Sequence, residues 1–182
     1  MNWKTKKSKY ILKDKWITLR ADSCVNSQGI NIDPYYVLEY SNWINVVPVT
    51  KNNEIILVKQ YRHGIKKVIT ELPCGGVEKK DKSPMEAARR ELLEETGCTS
   101  NEFIELCKLS PNPAHLNNMV YSYLALNTTV TQKQNLDLTE EIEVITVPIH
   151  KVRELIENNK FFQALHTSAL FYAFNYLDTH KI

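Results

Sequence analysis

Gly75–Cys98 reads GGVEKKDKSPMEAARRELLEETGC, and the rest of the chain is organised around it. Ser83 supplies a hydroxyl N-cap, Pro84 suits the first helical position, and Glu86 stands where it can reach back in a capping box. Good helix formers follow, and Gly97 stands where a left-handed C-terminal cap is wanted, so the spacing predicts a helix over Pro84–Thr96. Met85, Ala88, Leu92 and Thr96 fall on one side and can face a core, which leaves Glu91, Glu94 and Glu95 together on another. Carboxylates at such spacing repel one another by a few tenths of a kcal/mol per pair, roughly, even on an exposed helix. Arg89 and Arg90 can offset part of that. Three helix glutamates alone read as a solvated acidic face, but oxygen ligands on a rigid element also suit Mg²⁺, which binds through a few carboxylates plus substrate phosphates.

The whole stretch resembles the Nudix box: Gly, five residues, Glu, seven residues, Arg-Glu-aliphatic, any residue, Glu-Glu, any residue, Gly, then an apolar residue. Counted from Gly76, the match runs through Arg90, Glu91, Leu92, Glu94, Glu95, Gly97 and Cys98. Lys82 stands where the family carries its first glutamate, with Asp81 and Glu78 nearby. That departure leaves a degenerate, non-hydrolysing domain as the rival to a working enzyme. The resemblance implies metal ligation by Glu91, Glu95 and the backbone carbonyl of Cys74, with Mg²⁺ as the cofactor or Mn²⁺ in its place. Glu94 completes the acidic cluster.

Bulk properties narrow the surroundings of this site. A chain of 182 residues fits one domain, or one with a small appendage. Its net charge of +2 gives no reason to expect nucleic-acid or membrane-surface binding. The lysines at positions 4, 6, 7 and 9 read as a solvated N-terminal segment. No leader and no apolar run of membrane-spanning length stands out, so a cytoplasmic protein is expected. Cys24, Cys74, Cys98 and Cys107 show no paired spacing and read as reduced thiols.

Upstream of the box, Tyr10–Val25 and Ile30–Tyr40 flank a turn at Asn26–Gly29 and read as an antiparallel meander of about three strands, with Pro34 at an edge or bulge. Trp43–Thr50 and Glu54–Gln60 are apolar runs joined by Lys51–Asn53, which predicts a hairpin of strands covered on both faces. The following KQYR, ELP and paired glycines are similar to the ADP-ribose pyrophosphatase branch of the Nudix family. By that resemblance Arg62 contacts a substrate phosphate or terminal ribose and Glu71 lies in the pocket. The resemblance also implies that Trp16 stacks on the base, across a homodimer built on the N-terminal β unit.

Downstream, Phe103–Leu109 and Met119–Leu126 read as strands separated by a loop that two prolines hold out of any sheet. Pro113 occupies the place, relative to Gly97, of a proline that marks ADP-ribose hydrolases. Asn112 and His115 read equally as pocket residues or loop stabilisers. Thr128–Glu143 is polar and carries Asp137, Glu140, Glu141 and Glu143; by itself it signals solvation, whereas the family resemblance makes it the source of the general base, Glu140 or in its place Glu141. Ile149–Asn159 and Gln163–Leu177 predict two helices covering the sheet.

The fold expected is α+β: an α/β/α sandwich of Nudix type with a mixed sheet in residues 43–182, preceded by an antiparallel β meander in residues 1–42. The function expected is Mg²⁺-dependent hydrolysis of a nucleoside diphosphate sugar, with ADP-ribose giving AMP and ribose 5-phosphate. GDP-mannose or a related sugar nucleotide is the nearest alternative substrate.

Overall fold

Ser83 caps the helix α1, Pro84–Thr96, in the computed structural model, which describes residues 1–182. Its hydroxyl accepts from the Glu86 amide, and Gly97 closes the other end at φ 70° with its N–H on the Leu93 carbonyl at 2.8 Å. The reciprocal half of the capping box is displaced by one residue. Glu86 accepts from the Lys82 amide at 2.9 Å, because the chain approaches from the Lys82 side with Ser83 extended.

The chain divides into two compact units. The first comprises Met1–Ser41 and Ser110–Met119. Here β1 (Lys4–Lys13), β2 (Thr18–Val25) and β3 (Asn31–Leu38) form an antiparallel sheet in that order. The lysine-rich N-terminus is therefore a full strand, and every residue of β1 is exposed. Alternating lysines keep such an edge strand soluble. The distant segment Ser110–Met119 closes on this sheet through Leu38, whose N–H donates to the His115 carbonyl at 2.8 Å and whose carbonyl accepts from Asn117 at 3.3 Å. Asn112 accepts from the amides of His115 and Leu116, and the His115 ring stacks on Tyr35. Of the two readings of Asn112 and His115, loop stabilisation is the one the contacts display.

The second unit comprises Asn42–Leu109 and Val120–Ile182. The runs expected as a hairpin are β4 (Trp43–Pro48) and β5 (Glu54–Arg62). They meet only at the tip, where Val49 bridges Ile55 and Thr50 N–H reaches the Glu54 carbonyl at 2.9 Å. Beyond that they part into different sheets. The reason is that both hydrogen-bonding edges of β4 are taken, by β7 (Cys74–Gly76) antiparallel and by β10 (Val120–Leu126) parallel. With β9 (Glu102–Leu109) antiparallel to β10, the first sheet is mixed, in the order β7-β4-β10-β9. The second is antiparallel: β5 lies between β6 (Lys67–Glu71) and β12 (Ile142–Pro148). Two short strands, β8 (Cys98–Thr99) and β11 (Thr129–Val130), pair with each other.

Strand alternation sends side chains to two cores. Ile44, Val46, Ile56, Tyr123 and Ala125 pack against Ala87, Ala88 and Leu92 of α1. Val47, Val49, Ile55, Leu57, Leu124 and Leu126 pack on the other side against Val152 of α2 (Ile149–Glu157) and Leu170, Ala173 and Leu177 of α3 (Ala164–His180). The strands are thus covered on both faces, as their continuous apolar character requires. Truncating a fully buried anchor such as Leu92 to alanine costs about 2–5 kcal/mol in settings of this kind. No helix is long and apolar enough to cross a membrane.

Candidate active site

Glu95 lies on the helix side expected to be polar, yet it is only 4% exposed. Its carboxylate accepts from the Cys74 amide at 3.0 Å, so the short strand β7 is clamped to α1. Glu91, one turn earlier, faces the same strand, and a Cβ on Gly75 would run into its carboxylate. Glycine is required at 75 by that close approach. Burial pushes the Glu91 carboxyl up to about 7 and that of Glu95 up to about 8, and Glu140 adds repulsion to both. These two groups are held close together in a setting that resists their negative charge, which is what a bound cation relieves.

Glu94 shares an arginine with Glu91. Arg90 donates through Nη1 to Glu94 at 2.9 Å and to Glu91 at 2.8 Å, through Nη2 to the Gly76 carbonyl at 3.0 Å, and to both oxygens of Asp81 at 2.9 and 3.1 Å. The guanidinium holds Asp81 below the usual carboxylate range. Arg89 turns away, donating to the Ser100 carbonyl and lying over the Phe103 ring. These contacts revise the register of the box. Counted from Gly75, the five-residue gap ends on Asp81, and the chain then carries one extra residue before Arg90. Asp81 makes the arginine contact, while Lys82 is solvent-facing.

The polar stretch after β11 is anchored to the C-terminal end of α1. Thr131 and Gln132 donate to the Gly97 carbonyl, Asn135 to that of Glu94, and Gln134 to that of Glu95. This tether brings Glu140 to the wall of a cavity of about 620 Å³ that Glu95, Cys74, Arg62 and Glu71 also line. Glu141 is exposed and does not line it. Arg62 is anchored by Glu71, Nε to carboxylate at 2.7 Å, with Nη2 3.8 Å from the Cys74 sulfur. Burial raises the Glu71 carboxyl and the Arg62 charge pulls it back down. Burial drives the Cys74 thiol far up, so it is inert as a nucleophile.

No three acidic, histidine or cysteine side chains close around one point. A complete protein cage is not what magnesium needs, since one or two carboxylates and substrate phosphates suffice. Glu95, buried and without an ion pair, and the half-buried Glu91, which shares Arg90 with Glu94, fit that donor set. Trp16 and Pro113 belong to the first unit; Trp16 is 73% exposed, on the turn after β1.

Two cavity residues escaped sequence reasoning. Asn45, in the middle of β4, is 1% exposed with both amide atoms unpartnered. His166, 3% exposed on α3, accepts the Leu72 N–H on Nδ1 at 3.2 Å, and burial together with Arg62 holds its pKa down to about 3. Asn45 was visible as a polar break in the apolar run WINVVPVT; nothing in the sequence marked His166.

Residues 42–167 match the NUDIX domain, and residues 3–38 match the nucleoside diphosphate sugar hydrolase N-terminal domain. The ADP-ribose pyrophosphatase of Bacillus subtilis (strain 168) is 31% identical over 137 residues, covering 75% of this chain and 74% of that one. The methanol dehydrogenase activator of Bacillus methanolicus is 26% identical over 172 residues, 93% of this chain and 91% of that one. A crystal structure of an ADP compounds hydrolase superposes with a TM-score of 0.86 at 22% identity, covering 99% of this chain and 96% of that one, and so shares the fold.

Proposed function

This chain belongs to the NUDIX family, and from that premise we propose that it hydrolyses the pyrophosphate bond of a nucleoside diphosphate sugar, with ADP-ribose as the preferred substrate and AMP and ribose 5-phosphate as products. The observation that carries the reading is the pair Glu91 and Glu95 beside β7, with Glu95 buried at the wall of a cavity that also holds an anchored arginine. The N-terminal match to nucleoside diphosphate sugar hydrolases and the identity to an ADP-ribose pyrophosphatase support the choice of substrate.

In this reading Glu91, Glu95 and the Cys74 carbonyl hold Mg²⁺, with Mn²⁺ as its substitute. Bound there, the ion would neutralise diphosphate charge and lower the pKa of an attacking water. The chain's own groups do the rest. Arg62, oriented by Glu71, faces the diphosphate oxygens and binds them by charge-assisted hydrogen bonds. Glu140, tethered at the cavity wall, takes the proton from water as general base, a role its exposed neighbour Glu141 is less well placed to fill. Arg90 keeps Glu91 and Glu94 in place, with Asp81 fixing the guanidinium from behind. Trp16 and Pro113 are assigned to substrate binding by the family resemblance alone.

A homodimer and a cytoplasmic location complete the proposal. The exposed tyrosine, isoleucine and leucine at Tyr10–Leu12 on β1 support the first, and four unpaired cysteines support the second. The rival reading, a binding module without turnover, rested on Lys82, and the Asp81–Arg90 pairing weakens it. The test is an assay of purified protein with Mg²⁺ against ADP-ribose, GDP-mannose and other nucleoside diphosphate sugars, with products identified by anion-exchange chromatography. ADP-ribose should be cleaved fastest, to AMP and ribose 5-phosphate. A much faster rate on another sugar nucleotide rejects the substrate, and no magnesium-dependent cleavage of any of them rejects the hydrolase.

A further inference from the structure

The cavity is also lined by two uncharged polar residues, Asn45 and His166. Asn45 lies between Ser122 of β10 and Cys74 of β7 in the strand register, on the face of β4 shared with Val47 and Val49, which pack towards α3. Both atoms of its amide lack a partner. An orphaned buried donor or acceptor costs roughly 1–3 kcal/mol, so such a group is uncommon unless something else satisfies it. His166 enters the same cavity from α3. Because its Nδ1 accepts the Leu72 N–H, the ring proton of the neutral imidazole must sit on Nε2. No acceptor from the protein meets that proton. Together the two residues offer donor hydrogens on two nitrogens and one acceptor oxygen, all uncharged.

This set is poorly suited to a phosphate, which wants cations or helix-terminal amides, and to an apolar group, which would leave all the hydrogen-bonding atoms orphaned. Hydroxyl groups both give and accept hydrogen bonds, and neighbouring hydroxyls on a sugar ring can engage an amide and an imidazole N–H at once. Asn45 is register partner to Cys74, and His166 holds the residue that follows Glu71, so both sit beside the groups assigned to the diphosphate. We infer that Asn45 and His166 form the recognition site for the hydroxyls of a sugar esterified directly to that diphosphate. The inference rests on the nucleoside diphosphate sugar reading and names the residues that tell such a substrate from a bare diphosphate.

Two variants test it. His166→Asn places an amide oxygen near the position of Nδ1, preserving the Leu72 contact while removing the Nε2 donor. Asn45→Leu keeps side-chain size and removes the orphaned amide. Calorimetric binding of α,β-methylene-ADP-ribose, α,β-methylene-ADP and inorganic pyrophosphate is compared for both variants and the parent protein. Each variant should bind α,β-methylene-ADP-ribose about tenfold more weakly, the scale of one well-placed hydrogen bond, and should hold pyrophosphate as before. Weakening confined to α,β-methylene-ADP-ribose places the far sugar in the site; equal weakening of α,β-methylene-ADP places the nucleoside's own ribose there. Asn45→Leu without ligand should melt no lower than the parent, whereas a purely structural asparagine would lower the melting temperature. Unchanged sugar-nucleotide affinity, equal loss for pyrophosphate, or a parent protein that binds none of the probes overturns the inference. Failure of the hydrolase reading is distinct: it appears as no turnover of ADP-ribose by the parent protein, whatever the binding results.

Discussion

The two walls of the cavity are built on opposite principles. On the α1 side, burial penalises the ionisation of Glu91 and Glu95, and only Glu91 has an arginine to offset part of that penalty. On the α3 side, Asn45 and His166 present hydrogen-bonding atoms without any charge. The first wall is unsatisfied electrostatically and the second geometrically. The contrast teaches that one cavity can hold the charged and the neutral halves of a ligand by segregating the two kinds of deficit onto different elements.

Glu95→Gln should break the acidic wall most severely. The amide can still accept from the Cys74 N–H, so the fold survives and the melting temperature of metal-free protein at alkaline pH should hold or rise. Magnesium-dependent turnover should fall by about a thousandfold or more, since each decade corresponds to ~1.4 kcal/mol of lost transition-state stabilisation. Retention of near-normal turnover would remove Glu95 from the metal site. Glu140→Gln should follow, with a loss of about a hundredfold in kcat, while Glu141→Gln should leave the rate close to that of the parent. Steady-state kinetics of the pair decides which carboxylate serves; the reverse ranking would assign the base to Glu141.

Smaller still is the effect expected behind the wall. Asp81→Ala frees Arg90 and should cost about tenfold in activity, the usual scale for a residue that orients metal-binding groups. Lys82→Glu should change little, because Asp81 already occupies the guanidinium. A large gain in rate from Lys82→Glu would mean that the family's glutamate is missed after all.

The smallest effect is a pH dependence that separates the walls. Folded protein retains protons on Glu91 and Glu95 up to about 7 and 8, whereas the unfolded chain releases them near the ordinary value of 4.5. The folded state therefore binds more protons through that window, and metal-free stability should decline as pH rises across it. Magnesium should counteract the decline progressively, because it binds the deprotonated pair. Glu95→Gln should flatten the profile. Melting temperatures between pH 5 and 8.5, with and without magnesium, provide the check; a profile that stays equally steep in Glu95→Gln would locate the titration elsewhere.

Local rules were sufficient for some elements. The helix over Pro84–Thr96 is written in its caps and its propensities, and both ends form where those rules place them. The hairpin drawn from two apolar runs and a polar turn formed only at its tip, because a strand's choice of partner depends on chain segments far away in sequence: β4 took β10, with Trp43 opposite Val120, in parallel. The register of the box was equally nonlocal. Counting from Gly76 left Lys82 at the acidic position, and only the contacts of Gly75 with Glu91 and of Asp81 with Arg90 reset the count.

The amino-acid order by itself determined the acidic helix, its caps and the β-rich beginning of the chain, since each depends on neighbours within a turn or a strand. Tertiary structure alone decided which carboxylate is buried without an ion pair and which ones share Arg90, that Glu140 reaches the cavity, and that a lone asparagine and a lone histidine line it too. Desolvation, and the pairing of groups distant along the chain, exist only once the chain has folded around them.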